Sequence, residues 1–127
     1  MGQYLIDNNI ISNFFSGKLS LKAMILVGDI IDLTPNISII TEIEALSWVN
    51  SDKNKENIIK EFIKDSKVFN LNAEITAKTI NIRRGRKIKT PDAIIAATAI
   101  VNNFTLVTND NDFNGIQNLE LISLSSL

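Results

Sequence analysis

Short apolar runs alternate with helix-like stretches along this chain, and this alternation constrains the fold more than any other feature. Runs typical of strands occupy residues 4–6, 37–40, 68–71, 104–107 and 119–124. Between them, apolar side chains recur at helical spacing over residues 8–15, 19–31, 41–49, 55–64, 73–84 and from 90 onward. This order predicts a mostly parallel sheet with helices on both faces. We therefore predict an α/β fold, a three-layer α/β/α domain.

Three positions have the residue types that favour helix starts. Thr41 with Glu44 three residues later matches a capping box and predicts a helix that begins at Thr41. Asn72 is predicted to cap the helix after it. Thr90 is predicted to cap the last long helix, with Pro91 in its first turn.

The composition is that of one folded domain spanning residues 1–127. The chain is 45% hydrophobic and 21% charged, which suffices to bury one core. Its longest apolar stretches fall short of the roughly 20 residues that a membrane-spanning helix needs. Residues 1–16 lack the basic start and apolar run of a signal peptide. We therefore expect no membrane segment and a cytoplasmic location.

The absence of Cys and His narrows the possible chemistry. Without them the chain cannot form a disulfide, a thiolate nucleophile, a sulfur-ligated zinc site or a histidine general base. If the protein catalyses hydrolysis, carboxylates and a hard metal ion are the available means. Oxygen ligands favour Mg²⁺ or Mn²⁺.

Acidic residues follow the predicted strands or open the predicted helices at four separate places. In an open α/β sheet, the carboxyl ends of strands and the amino ends of the next helices meet at one edge, where ligands bind. Converging carboxylates repel each other, so a bound cation would stabilise them. The acids at these places are Asp7, Glu42, Glu44, Asp92, Asp110 and Asp112.

Each acid also has a purely structural explanation. Asp7, Asp110 or Asp112 can form turns, and Asp92 can stabilise the amino end of its helix. Glu44 fits the capping box, and helical periodicity does not choose between Glu42 and Glu44 as the inward acid.

A basic cluster precedes Asp92 in a chain of net charge −1. Such a cluster can neutralise nucleic-acid phosphates, or it can be a solvated helix end whose cations favour the helix dipole. A protein-binding surface is a third use. The cluster consists of Arg83, Arg84, Arg86, Lys87 and Lys89.

Four segments, in order, carry a resemblance to a known family. They are YLIDNN at 4–9, SIITEIEAL at 38–46, PDAIIAATA at 91–99 and LVTNDNDF at 106–113. The chain resembles PIN-domain nucleases and, among them, the VapC-type toxins of toxin-antitoxin pairs, and the resemblance runs nearly end to end.

The resemblance implies an Mg²⁺- or Mn²⁺-dependent endoribonuclease that uses metal-activated water and leaves a 5′-phosphate. It implies a cognate antitoxin and a homodimer as partners. The acids it assigns to catalysis and metal binding are Asp7, Glu44, Asp92 and Asp110, with Asp112 additional or a substitute. Supporting residues are Asn8, which stands where a hydroxyl residue is commoner, Thr41, and Thr108 as a hydrogen-bond donor to an acid or to bound water.

Two other functions are compatible with an α/β fold that carries acids. One is a catalytically silent PIN-like module that only binds a protein partner. The other is a receiver-like signalling domain, which fits less because such domains resemble a pattern with an acidic pair after the first strand and a Lys after the fifth. This chain has a single Asp7 and no Lys near Thr108.

Overall fold

Five parallel strands form the centre of the structure, a computed structural model that describes residues 3–127. Their order in the sheet is β3-β2-β1-β4-β5, and every neighbouring pair is parallel. The predicted parallel sheet is thereby confirmed. The strands are β1 (Gln3–Ile6), β2 (Asn36–Ser38), β3 (Lys67–Phe69), β4 (Phe104–Thr108) and β5 (Glu120–Ser123).

Six α-helices within residues 3–127 cover the two faces of the sheet, which confirms the three-layer fold. One face packs against α1 to α4, and the other packs against α5 and α6. None of the helices in residues 3–127 combines the length and apolar character needed to cross a membrane. The helices are α1 (Asn8–Phe15), α2 (Leu21–Asp32), α3 (Ile39–Leu46), α4 (Lys53–Asp65), α5 (Ala73–Gly85) and α6 (Thr90–Val101).

Successive side chains of the central strands point to opposite faces, so each strand contributes to both cores. Leu5 of β1 and Leu106 of β4 pack in the core under α5 and α6. Ile6 and Val107, the next residues on the same strands, pack in the core under α1 to α4. All four side chains are buried. Both faces of the sheet are therefore covered, as expected for a parallel sheet between helical layers.

Two of the three predicted helix starts differ from the structure. Helix α3 begins at Ile39, because the Ser38 side chain caps it by accepting from the Ile40 amide at 3.1 Å. The predicted start and capping box at Thr41 are therefore wrong, and Thr41 lies inside the helix.

The last long helix starts at the residue predicted to be its cap, one residue earlier than expected. Thr90 is its first residue, and Lys89 occupies the cap position without a side-chain hydrogen bond. Pro91 does lie in the first turn, as predicted. The cap of α5 is confirmed, since the Asn72 Oδ1 accepts from the Ile75 amide at 2.8 Å.

The chain reverses its direction of progress across the sheet between β1 and β4. From β1 it adds β2 and β3 on one side, and then it returns to add β4 and β5 on the other. A crevice at the carboxyl ends of the strands is expected at such a switch point. Ile6 lies in register with Val107. The next residues on the two strands, Asp7 and Thr108, therefore lie side by side at this crevice.

Candidate metal centre

Asp7 lies at the switch point, immediately after β1, and is only 7% exposed. Its backbone N–H donates to the Val107 carbonyl at 3.1 Å, which extends the pairing with β4 by one residue. Asp7 is also the N-cap of α1, and its Oδ1 accepts from the Asn8 amide at 2.8 Å. The strand end and the helix start therefore fix this carboxylate together.

Thr108 connects Asp7 to the next acid of the site. The Thr108 Oγ1 donates to the Asp7 Oδ2 at 2.8 Å and accepts from the Asp110 N–H at 3.0 Å. The side chain is fully buried, so water does not compete for these bonds. The prediction that Thr108 donates to an acid of the site is confirmed.

Asp110 and Asp112 lie in a tight segment after β4, residues 110–114, which we call the acidic turn. The Asp110 Oδ1 caps its short 3-10 helix (Asn111–Phe113) by accepting from the Asp112 amide at 2.9 Å. Phe113 anchors the segment in the core under α6 and is 1% exposed. The buried Phe113 thus fixes the turn that carries the two aspartates.

Asp92, in the first turn of α6, meets the acidic turn. One carboxylate oxygen from each of Asp92, Asp110 and Asp112 lies within 4.8 Å of the other two. Such a cluster of carboxylate oxygens suits a hard divalent cation such as Mg²⁺ or Mn²⁺. The sequence left open whether Asp112 is added to Asp110 or replaces it, and the structure brings both to the same place.

Burial and mutual repulsion raise the pKa values of three of these acids above their ordinary range. Burial is the main cause of the raised pKa of Asp7, and Asp92 and Asp110 add to it despite the opposing hydrogen bonds from Thr108 and Asn8. Burial likewise raises the pKa of Asp92, with repulsion from Asp110 and Asp112 and a smaller opposing effect of Lys89.

Glu44 on α3 lies close to this group. Burial raises the pKa of Glu44, and the next largest causes are the charges of Asp7 and Asp92. The choice between Glu44 and Glu42, which lies in the first turn of α3, stays a prediction.

Among the described residues 3–127, no cationic side chain is a direct ion-pair partner of these acids. Within residues 3–127 the one ion pair joins Lys53 to Glu56 at 3.4 Å, on α4. Ionised carboxylates that converge without a cation repel each other, which is the electrostatic condition that a bound metal ion relieves. The donor set and its charge therefore fit a divalent ion.

Two buried oxygens near these segments also lack a hydrogen-bond partner among residues 3–127. They are the Oγ1 of Thr41 and the Oδ1 of Asn109. Thr41 follows β2 and Asn109 follows β4, at the edge of the sheet where the acids lie. Buried polar atoms of this kind are usually satisfied by an ordered water or an ion. The supporting role predicted for Thr41 stays a prediction.

Asn8 and Glu44 together line a groove of about 650 Å³ that continues from the acids between α1, α3 and α4. Lys18, Lys55 and Trp48 are also in its wall. Asn8, which is predicted to be a supporting residue, therefore lines the same groove as Glu44.

The basic cluster divides into residues that hold the fold and residues that project outward. The Arg83 Nε donates to the Ile88 carbonyl at 3.2 Å. Arg86 donates to two carbonyls of the acidic turn. No local pattern predicts this contact, because it joins residues 26 and 28 positions apart. Arg84 and Lys87 are exposed.

Comparison with known proteins agrees with this architecture. The sequence profile of the PIN domain matches residues 4–119. No curated protein sequence matches the chain significantly.

Solved structures provide the remaining matches. A toxin-antitoxin complex from Klebsiella pneumoniae contains a chain with 27% identity and a TM-score of 0.76, over 96% of this chain and 98% of that one. VapBC2 from Rickettsia felis, bound to a DNA fragment from its promoter, gives 24% identity and a TM-score of 0.77, over 94% and 97%. FitAcB from Neisseria gonorrhoeae gives 21% and 0.80, over 98% and 100%. The last two likenesses concern the fold.

Replacing Asp92 by Asn should stabilise the metal-free protein. The raised pKa of Asp92 means that its ionised form is unfavourable in the fold, so loss of the charge should raise the melting temperature in EDTA by about 3 °C. Added Mn²⁺ should raise the melting temperature of the wild type but not of the variant. Calorimetry at pH 7.5 measures both effects.

The pH dependence gives the sign of the same effect. An acid with a raised folded pKa destabilises the fold above that pKa, and the penalty disappears as the pH falls toward its unfolded value, 3.8 for Asp92. The advantage of D92N in EDTA should therefore shrink on acidification. Asp29→Asn, an exposed change on α2, is the control, and a lower melting temperature for D92N in EDTA at pH 7.5 would contradict the argument.

Replacing Thr108 by Val should disconnect Asp7 from the acidic turn. The change keeps the side-chain shape but leaves the Asp7 Oδ2 and the Asp110 N–H without their partner. We expect a loss of roughly 1–3 kcal/mol in the free energy of unfolding, measured with urea, and weaker Mn²⁺ binding by calorimetry. Thr108→Ser should retain both properties, and Thr105→Val on the same strand is the matched control. Equal Mn²⁺ affinity in T108V and wild type would disprove the connection.

Proposed function

The chain belongs to the PIN-domain family, and on this premise we propose that it forms one nuclease domain that hydrolyses RNA with Mg²⁺ or Mn²⁺. The observation that carries the proposal is the convergence of the Asp92, Asp110 and Asp112 carboxylates within 4.8 Å. Asp7 and Glu44 lie near this group. The charges of Asp92 and Asp110 help to raise the pKa of Asp7, and the charges of Asp7 and Asp92 help to raise the pKa of Glu44.

The chain's own residues divide the work between holding the ion and handling water. Asp7, Asp92, Asp110 and Asp112 would hold the metal, and a bound divalent ion supplies activation of water and charge neutralisation on the phosphoryl oxygens. Glu44 is exposed to solvent, and the charges of Asp7 and Asp92 raise its pKa. It can therefore orient the attacking water and accept its proton. As the family resemblance implies, the P–O3′ bond would break with the 3′ oxygen as leaving group, which would leave a 5′-phosphate and a 3′-hydroxyl.

The neighbourhood of the acidic turn supports an approach of phosphates from the α5–α6 side. A groove of about 510 Å³ lies between the turn and residues 86–89, lined by Arg83, Lys87 and Lys89 together with Asp112. Cations beside an acidic centre reduce its repulsion of a polyanion. The cluster predicted from sequence thus has a groove in which to meet an RNA strand.

We further propose an antitoxin as protein partner. The relative from Klebsiella pneumoniae is part of a toxin-antitoxin complex, which supports a toxin role here. Ile43, Leu46, Trp48 and Val49 are exposed apolar side chains at the end of α3 and just after it, a surface that a protein partner can cover. A homodimer would form through apolar contacts of the same kind. We also propose that the protein acts in the cytoplasm, where it would meet its RNA substrate.

The same apolar surface favours one second candidate function. A PIN-like module that binds a partner without catalysis would keep this surface and have no need of Glu44. The two functions differ in whether the protein cuts RNA.

Purified protein should cleave a mixed RNA pool with Mg²⁺ or Mn²⁺ and should not cleave it in EDTA. D92N should be inactive. Glu44→Gln should lose roughly 100-fold or more in rate because its carboxylate handles the water, whereas Glu42→Gln, two residues earlier on the same helix, should cleave like the wild type. Sequencing of the fragment ends should find 5′-phosphates.

Each result of this assay decides between the candidates. Equal rates for the two Gln variants would remove the role given to Glu44, and cleavage that persists in EDTA would refute the metal mechanism. A wild type that binds Mn²⁺ but cuts no RNA would transfer support to the protein-binding module.

The exposed cations should contribute to RNA affinity and to its salt dependence. In EDTA, where the RNA stays intact, a variant with Arg84→Ala and Lys87→Ala should bind more weakly. The slope of log affinity against log salt concentration should become shallower by about 1.4 if both side chains contact phosphates of a single strand. A variant with Lys22→Ala and Lys64→Ala, exposed lysines on α2 and α4, is the charge-matched control. Identical slopes for the two variants would contradict a phosphate-binding role.

A further inference from the structure

Arg86 reaches across from the end of α5 to the acidic turn. Its Nη2 donates to the Asp112 carbonyl at 3.1 Å, and its Nη1 donates to the Asn114 carbonyl at 3.0 Å. One guanidinium thus binds two backbone oxygens of the same short segment, two residues apart. This planar two-point contact is specific to arginine, since lysine offers a single nitrogen.

The acidic turn needs such a contact on its outer side. On its inner side Phe113 is buried and Asp110 is bound to Thr108, but Asn111, Asp112 and Asn114 are exposed. The carboxylates of Asp110 and Asp112 repel each other and Asp92, so without a restraint the exposed half of the turn would move outward to separate them.

The backbone around Arg86 is itself fixed. Arg86 follows α5 in an extended conformation, and the Arg83 Nε binds the carbonyl of Ile88, whose side chain is buried. Four residues after Ile88 the chain reaches Asp92. The contact therefore joins the segment that leads into Asp92 to the segment that carries Asp110 and Asp112.

The residue after the acidic turn, Gly115, lies beside the guanidinium. Gly115 has φ +80, a left-handed conformation that favours glycine. A Cβ at this position would lie 3.8 Å from the Arg86 Nη1, in ordinary contact. The strain of a side chain at this φ, and not a lack of space, is what a substitution there would introduce.

We propose that Arg86 is a positioning residue of the metal centre: its guanidinium holds the acidic turn so that Asp110 and Asp112 remain within reach of the ion that Asp92 also binds. This inference rests on the metal site of the proposed function. It assigns Arg86 to the turn and leaves RNA phosphates to the neighbouring exposed cations. Loss of outer residues that orient metal ligands typically weakens metal binding by about 10- to 100-fold.

The test is Mn²⁺ affinity, measured by electron paramagnetic resonance on the full chain without RNA. Arg86→Ala and Arg86→Lys should both bind Mn²⁺ at least about 10-fold more weakly than the wild type. Lys78→Ala removes an equal charge from α5, at a residue with no part in the site, and should bind Mn²⁺ normally. Melting temperatures of all variants are measured first. The titrations are then run well below the lowest melting temperature, so that every variant is almost fully folded.

The lysine variant separates positioning from charge. If R86K binds Mn²⁺ like the wild type, the two-point contact is unimportant and the inference is overturned. An equal loss in K78A would also overturn it, because a nonspecific charge effect would then suffice. A lower melting temperature with unchanged Mn²⁺ affinity in R86A would show a role in stability alone and would likewise overturn it.

The experiment distinguishes failure of this inference from failure of the proposed function. A wild type that does not bind Mn²⁺ overturns both. A wild type that binds Mn²⁺ and cleaves RNA, with an R86A variant of equal affinity, overturns only the role of Arg86. Weak binding by R86A and R86K in a protein that cuts no RNA would support the positioning role and reject the nuclease.

Discussion

The parallel pairing of β1 with β4 places Asp7 beside the segment that carries Asp110 and Asp112. Ile6 is in register with Val107, so Asp7 and Thr108 leave the sheet side by side although they are 101 residues apart. The Thr108 hydroxyl then relates Asp7 to Asp110 through two hydrogen bonds. A register slip of one residue would exchange the faces of β4 and separate this hydroxyl from Asp7. The apolar alternation that forms the two cores therefore also sets the geometry of the acids.

The fold keeps these acids together against their mutual repulsion. Raised pKa values of Asp7, Glu44 and Asp92 record the cost of ionising them there. Stability must come from elsewhere, and the layer formed by α5 and α6 supplies part of it through the fully buried Ala93, Ala96 and Ala97, whose small side chains let α6 approach the sheet. A destabilised cluster on a well-packed scaffold is typical of a functional site rather than of a structural one.

Local rules were sufficient where one residue decides the structure, and insufficient where two residues compete or distant ones meet. The bounds of α1, the cap at Asn72 and the existence of all five strands followed from periodicity and residue type, but the predicted strand 37–40 ends at Ser38, where α3 begins. Both Ser38 and Thr41 can cap a helix, and Ser38 prevails because β2 ends there, which periodicity does not reveal. The approach of both Asp110 and Asp112 to Asp92, and the contact of Arg86 with their turn, depend on tertiary packing that no local pattern encodes.

The basic cluster shows how far charge in a sequence differs from charge at a surface. Two of its arginines donate to backbone carbonyls of Ile88, Asp112 and Asn114, so their hydrogen-bonding capacity serves the fold first. Their positive charge nevertheless remains beside the acids, and Lys89 already acts to lower the pKa of Asp92. A polyanion that approaches this edge meets cations beside the carboxylate of Asp112. The connection between α5 and α6 can therefore both hold the acidic turn and reduce its repulsion of a nucleic acid.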